Sequence, residues 1–440
     1  MSRSQSSPNV LVFFTDQQRW DTCGCYGSPM ELTPNLDAMA RRGVRFENVF
    51  TCQPVCAPAR ASLQTGLHGT AHGVWRNGLA LDPSHRTLAH HFRAAGYEVG
   101  YLGKWHLSGT GDRPVPLELR GGYEGYWEGA DILEFTSHPY DCRMYDQDNE
   151  PVYYPGYRVD AMTDRAVEFI SRDREAPFFF FVSYLEPHHQ NDMDRFVPPE
   201  RYAASYKNPY VPPDLRARPG NWQESLPGYY GCVRALDEAL GRVLEALEQR
   251  GIADNTVVLF TSDHGCHFRT RNAEYKRSCH DGCTRIPMVM QGPGLNLSRS
   301  VPQMVSLVDF APTLLSAAGL AVPQAMQGRD ATALVGGAEV EWEEEVFIQI
   351  SEYTVGRAIR TPRWKYCVHD PHNSGWGKPA AAGYVEHHLY DLYADPWEQV
   401  NLIGRREYDG QRAHLKERLL AHMGAAGEAE VEILDGKFYE

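Results

Sequence analysis

Asn9-Val10-Leu11-Val12-Phe13-Phe14-Thr15-Asp16-Gln17 is a short apolar run that stops abruptly at a carboxylate and an amide. Six residues of this kind are too few for a helix and read as a strand, Asn9 to Phe14, buried on both faces. The same pattern returns three times. Tyr97 to Leu102 leads to Lys104 and His106, Phe178 to Tyr184 leads to Glu186, His188 and His189, and Thr256 to Thr261 leads to Asp263 and His264. Between these runs lie segments of helical period. Thr33 and Pro34 open one that Gly43 closes, Thr87 caps a second, Thr163 to Ser171 forms a third, and Val233, Leu236, Leu240, Val243 and Leu247 mark the apolar face of a fourth after Pro227. Strands alternating with helices predict an α/β fold, a mostly parallel central sheet sandwiched by helices, over residues 1–335.

The pattern changes beyond that point. Val346 to Ile350, Ala358 to Arg360 and Trp364 to His369 are short strands without helices between them, and a helix follows Asn401. Residues 336–440 are therefore expected to form a smaller C-terminal α+β subdomain built on an antiparallel sheet, with Lys378 to Gly383 as a flexible loop. At 440 residues with 42% hydrophobic and 23% charged side chains, the chain can bury a large core, which excludes a disordered or coiled-coil protein. A formal charge of −14 argues against nucleic acid or an anionic membrane as partner. No apolar run approaches the roughly 20 residues of a membrane span. Met1 to Pro8 is polar and runs straight into the first strand, so a cytoplasmic location is expected. Ten cysteines scattered through so long a chain read as reduced thiols, and Cys266, Cys279 and Cys283 lack the second Cys/His pair that a structural zinc would need.

Open α/β sheets bind ligands beyond the carboxyl ends of their strands, and all four runs end there in charge-handling residues. Asp16, Gln17, Asp263 and His264 offer hard oxygen donors and one imidazole, a set suited to one divalent cation, Ca²⁺ first, with Mg²⁺ or Mn²⁺ as alternatives. Lys104, His106, His188 and Lys276 could hold the peripheral oxygens of a tetrahedral oxyanion while a histidine protonates a leaving group.

One further stretch is more specific. Cys56-Ala57-Pro58-Ala59-Arg60, continued by Ala61-Ser62-Leu63-Gln64-Thr65-Gly66, resembles the signature of the type I sulfatases of the alkaline phosphatase-like superfamily, whose cysteine is oxidised after translation to formylglycine. Other elements agree in order: Asp16-Gln17, Thr33-Pro34-Asn35-Leu36-Asp37, Gly103-Lys104-Trp105-His106, Thr261-Ser262-Asp263-His264-Gly265, Lys276 ahead of His280-Asp281-Gly282, and Leu389-Tyr390-Asp391-Leu392 near the end. The likeness covers nearly the whole chain. It implies a sulfuric ester hydrolase in which formylglycine at position 56, as its hydrate, attacks sulfur, and a formylglycine-generating enzyme is needed for maturation. It further implies that Cys56, as formylglycine, is itself a cation ligand, that Arg60 holds the hydrate, that Lys104 and Lys276 neutralise sulfate oxygens, that His106 helps activate the hydrate and that His188 is the acid.

Two departures bear on substrate. Gln17 stands where many sulfatases have Asp, and His264 where many have Asn; both changes occur in the related phosphonate monoester hydrolases and phosphodiesterases. A site one carboxylate poorer is more positive, whereas the Gly103-Lys104-Trp105-His106 element favours the sulfatases. Trp75, Arg76 and Asn77 supply a stacking face, a cation and an amide, and with His189 and His280 they are the expected substrate-binding residues, for a carbohydrate or small-molecule O-sulfate. A phosphonate monoester or phosphodiester hydrolase is the alternative, as is a catalytically silent binder of sulfated glycans should Cys56 stay unconverted. A homo-oligomer is left open.

Overall fold

The computed structural model describes residues 7–337 and 340–436; most of the polar start of the chain, residues 1–6, lies outside them. Ten strands form one sheet: β1 (Asn9–Thr15), β2 (Val44–Phe50), β3 (Glu98–Lys104), β4 (Tyr126–Ala130), β5 (Cys142–Tyr145), β6 (Pro151–Tyr154), β7 (Phe178–Ser183), β8 (Thr256–Ser262), β9 (Met288–Gln291) and β10 (Arg299–Ser306). Their order is β10-β2-β9-β8-β1-β7-β3-β4-β5-β6. The centre is parallel. β1 lies between β7 and β8, and β3 extends the parallel block from β7 to β4; β9 and the β5 and β6 hairpin run antiparallel to their neighbours.

The continuous apolar runs follow from this position. Val10, Val12 and Phe14 of β1 enter one core, lined by Ala59, Leu63, Leu88, Phe92, Phe310 and Leu314. Leu11 and Phe13 enter the opposite core, against Leu36, Phe169, Leu236 and Val243. A strand covered by helices on both faces has no solvent side and so carries no polar alternation. The second-face helices are Pro34–Arg42, Arg158–Ser171 and Trp222–Gln249. The last begins five residues before Pro227 and includes it; near a helix start a missing N–H costs only one ladder bond, so the proline does not mark the boundary.

Several strands carry weaker signals. β2 mixes buried and half-buried residues, and β10 contains Pro302, which falls where its register on β2 shifts between Val301 and Met304. A separate five-stranded sheet holds β11 (Val346–Ile350), β12 (Gly356–Arg360), β13 (Trp364–His369), β14 (Gly383–Asp391) and β15 (Glu432–Leu434), in that order. β11 to β14 are antiparallel and β15 is parallel to β14. The helix Asp409–Ala425 packs Leu415, Leu419 and Met423 on Phe347, Ile359, Tyr366 and Leu389. Residues 378–382 have no regular structure, and Gly383 opens β14. All ten cysteines are free, and among the described residues no helix is long and apolar enough to cross a membrane.

Candidate active site

The carboxyl ends of β1, β3, β7 and β8 lie side by side, so residues far apart in sequence converge above them. Asp16 follows β1, Lys104 ends β3, Ser183 ends β7 with Glu186 just beyond, and Asp263 follows β8. Cys56 is the first residue of the helix Cys56–Thr65, all ten residues of which are buried. Arg60, one turn on, donates from Nη1 to the Lys104 carbonyl and to Ser183 Oγ, both at 2.8 Å, and from Nη2 to Asp16 Oδ2 at 2.9 Å. Its guanidinium also lies over the Phe14 ring, 5.1 Å from the centroid. The arginine is thus a fixed strut joining the signature helix to three strand ends.

Cys56 Sγ is the point on which the other side chains converge. It lies 2.8 Å from Lys276 Nζ, 3.3 Å from His264 Nε2, 3.7 Å from Asp16 Oδ1 and 3.9 Å from Lys104 Nζ, with the His106 imidazole adjacent. Burial opposes ionisation of this thiol, but Lys104, Lys276 and His264 outweigh it and hold the Cys56 pKa well below the ordinary value. A helix N-terminus adds to the same bias. Other buried cysteines, such as Cys52 and Cys266, are instead pushed up to about 12, burial being the main cause in each.

Lys104 is fully buried and pairs with Asp16 Oδ2 at 2.9 Å and Glu134 Oε1 at 3.0 Å. Burial lowers its pKa, yet Asp16, Cys56 and Glu134 more than offset this, so it stays protonated. For Glu134, burial is overcome by Lys104, His188 and His106, which bring its pKa down to about 2. Lys276 differs from Lys104. Among the described residues no carboxylate pairs with it, and its ammonium reaches Cys56, His264 Nε2 at 3.1 Å and His188 Nε2 at 3.5 Å. His188 Nδ1 lies 2.6 Å from the His189 carbonyl, so Nδ1 carries the proton and Nε2 faces Lys276. Burial and the nearby lysines keep its pKa below the ordinary value.

Asp16, Cys56, Asp263 and His264 can each place one donor atom within 4.8 Å of all the others. His264 Nδ1 faces its neighbour's carbonyl, Gly265 O, at 2.9 Å, which turns Nε2 toward Cys56. Asp263 Oδ1 accepts from the backbone N–H of Gln17 and of His264, while Oδ2 has no hydrogen-bond partner and only Arg60 Nε at 3.5 Å. Burial and the charge of Asp16 raise its pKa to about 6. The Gln17 amide oxygen is fully buried and meets no donor, on a residue with φ of +68°. Buried acceptors left unpaired cost free energy unless something fills the space they face. Two such oxygens beside a carboxylate and an imidazole fit a divalent cation.

The remaining expected residues divide. Asn77 Oδ1 accepts from Ala57 N at 3.0 Å, beside Cys56, and Asn77 N donates to Glu352 Oε1 at 2.7 Å. Trp75 is tied in by Gln53, whose Nε2 donates to its carbonyl at 2.7 Å, and Arg76 stacks on the Trp75 ring at 5.3 Å. His189 stacks on Tyr275, next to Lys276, at 5.5 Å. His280 is set apart from this group. Its ring nitrogens meet Ser278 Oγ and Tyr390 Oη, each at 3.1 Å, in the seam against the C-terminal sheet. It was expected to contact substrate, but its ring packs on His388 and Tyr390 instead. Cys279 lies with His280 and His388 and not in a Cys-rich zinc motif with Cys266 and Cys283. Trp105 is core, donating from Nε1 to Leu119 O at 2.9 Å among Tyr101, Tyr123 and Trp127. Glu134, Ser183 and Glu352 were not expected; each acts across long sequence separations, and no local pattern announces them.

Comparison with known proteins agrees with this geometry. Residues 8–320 match the family model Sulfatase, and residues 273–424 match the model "N-sulphoglucosamine sulphohydrolase, C-terminal". The chain is 31% identical to an ulvan-active sulfatase of Formosa agariphila, over 95% of this chain and 82% of that protein. It is 25% identical to an N-acetylglucosamine-6-O-sulfatase of Bacteroides thetaiotaomicron, over 94% of this chain and 85% of that protein. Among solved structures, the phosphonate monoester hydrolase of Agrobacterium radiobacter superposes with a TM-score of 0.74 at 25% identity, over 95% of this chain and 96% of that one. With the signature helix, the converging strand ends and these matches together, the chain belongs to the sulfatase family of sulfuric ester hydrolases.

Proposed function

We propose that the protein hydrolyses a carbohydrate O-sulfate, with formylglycine made from Cys56 by a formylglycine-generating enzyme and one divalent cation, Ca²⁺ by the donor set. The observation that carries this reading is the convergence on Cys56 Sγ of two ammonium groups, an imidazole and a carboxylate within 3.9 Å. Asp16, Gln17, Asp263, His264 and residue 56 would hold the cation. The aldehyde hydrate and cation together supply a nucleophilic oxygen and positive charge for a developing sulfuryl group.

The chain's own residues then have separable tasks. Lys104 and Lys276 remain protonated and neutralise the sulfate oxygens that the nucleophile does not touch. Arg60 fixes Asp16 and the start of the helix, so the geometry exists before substrate arrives. His188 Nε2, facing Lys276, is placed to take a proton and pass it to the leaving alcohol oxygen. His106, adjacent to residue 56, has both ring nitrogens buried and without hydrogen-bond partners, and one of them would accept the proton that the nucleophile at position 56 must lose. Carbohydrate as substrate class is supported by the named sulfatase relatives and by the aromatic and amide groups of Trp75 and Asn77 at the rim.

A second reading has its own support. Gln17 and His264 make the cation site one carboxylate poorer, and the phosphonate monoester hydrolase shares the fold. Protein matured with a formylglycine-generating enzyme, assayed on 4-nitrophenyl sulfate and 4-nitrophenyl phenylphosphonate, separates the two. The sulfate rate is expected to be the higher; a phosphonate rate well above it would reverse the assignment.

A further inference from the structure

Arg76 is a cation without an assigned anion. Its guanidinium carbon lies 5.3 Å from the centre of the Trp75 ring and 5.8 Å from that of Trp376, so it rests on two indoles. Nη1 donates to the Asn77 carbonyl at 2.9 Å, and the buried Nε has no hydrogen-bond partner. No ion pair involves it among the described residues, although the chain carries a net charge of −14. The one carboxylate held against this segment, Glu352, is committed elsewhere: it accepts from Asn77 N and pairs with Arg277. The indole faces attract the guanidinium, and its unpaired donor is one that an anionic ligand can satisfy.

The position of Arg76 says which ligand. The next residue, Asn77, binds the backbone of Ala57 beside Cys56, and Arg277, which pairs with Glu352, follows Lys276. Arg76 therefore stands at the rim of the sulfate site, not within it, and Lys104 and Lys276 already serve the scissile group. Trp376 and Tyr353, 50% and 49% exposed, belong to the C-terminal part of the chain. They adjoin the two residues of an antiparallel bridge in which Glu352 N donates to Gly375 O at 3.0 Å. The rim thus offers indole faces for a sugar ring and a fork of donors for a planar or tetrahedral anion.

We infer that Arg76, resting on Trp75 and Trp376, recognises a second anionic group on the substrate, a carboxylate or another sulfate on the sugar that carries the scissile ester. The inference rests on the sulfatase reading above and narrows its substrate class to doubly anionic sugars. Trp376 becomes a specificity residue contributed by the C-terminal sheet region.

Matched substrates test it. N-acetylglucosamine 6-sulfate against glucosamine 2-N,6-O-disulfate adds one sulfate, and 2-O-sulfated glucose against 2-O-sulfated glucuronate adds one carboxylate; 4-nitrophenyl sulfate is the reference. The wild type is expected to favour the dianion of at least one pair by about tenfold or more in kcat/KM, and the pair that responds identifies the anion. Arg76→Gln should reduce that preference at least fivefold through KM, Arg76→Lys should keep part of it, and added salt should weaken it. Trp376→Ala should raise KM for the sugars more than for 4-nitrophenyl sulfate. An equal preference in wild type and Arg76→Gln, or a wild type that favours the singly charged sugar in both pairs, overturns the inference while sulfate turnover persists. Absence of turnover on every sulfate overturns the sulfatase reading, and this inference with it.

Discussion

Among the buried charge clusters of the described residues, one surrounds Cys56 and another surrounds Lys365. In the second, Lys365 pairs with Asp281 and Glu398, Arg360 Nη2 reaches Asp281 at 3.3 Å, and Asp281 N donates to the Glu398 carboxylate at 2.8 Å. Every side-chain oxygen of Asp281 and Glu398 has a partner there. Around Cys56, by contrast, Gln17 Oε1, Asp263 Oδ2, Glu134 Oε2 and both His106 nitrogens are buried and unpaired, and Lys276 has no carboxylate. Both clusters bury lysine and acid at similar depth, so burial does not distinguish them. What does is the set of unmet acceptors: the carboxylates around Lys365 are all paired, with Arg360 Nε left over, whereas around Cys56 carboxylate and amide oxygens and an imidazole lack partners, as expected where a ligand is to be held.

The contrast is sharpest at its centres. Cys56→Ala should lower turnover by ~10⁴-fold or more, the scale on which a nucleophile is lost, with the denaturation midpoint unchanged; retained turnover would remove residue 56 from the chemistry. Lys365→Met should do the opposite. It strands two buried carboxylates and should cost about 3–5 kcal/mol of stability in a urea titration, while the folded fraction keeps its kcat. Equal stability in that variant would break the contrast.

Within the active site the two lysines divide the same way. Lys276→Met should cost about 10²–10³-fold in kcat/KM, comparable to loss of one oxyanion donor, without loss of stability, since no carboxylate is stranded. Lys104→Met should lose both, because Asp16 and Glu134 remain. Finer still is the cation. A hundredfold excess of Ca²⁺ over its Kd should stabilise the protein by about 2.7 kcal/mol, and Gln17→Ala should shift the Ca²⁺ concentration required upward by about tenfold. A melting curve indifferent to chelator and Ca²⁺ would argue that the unmet oxygens serve something else.

Much of the cluster around Cys56 was legible in sequence, and most of the one around Lys365 was not. Asp16, Lys104, His188 and Asp263 each follow an apolar run, so a strand rule finds them, and Cys56 and Arg60 lie in a compact motif. Glu134 pairs with Lys104 from a one-turn helix 30 residues away, and Glu352 arrives from beyond β11; tertiary placement alone reveals them. His280 stands apart for a related reason: Lys276, four residues before it, reaches Cys56, but the His280 ring nitrogens go to Ser278 and Tyr390. β14, with Glu386, His387 and His388 in its middle, lacks an apolar run because only part of it faces the core. β2 and β10 were obscured by half-burial and by Pro302.

The most direct test is the mass of the tryptic peptide Phe46 to Arg60, after thiol alkylation, from protein co-expressed with a formylglycine-generating enzyme, measured beside sulfate turnover in the same preparations. Cys52 in that peptide should carry the alkyl group, residue 56 should have the mass of formylglycine or its hydrate, and kcat should scale with that fraction. Full turnover from protein whose Cys56 is quantitatively alkylatable before reaction would contradict the account.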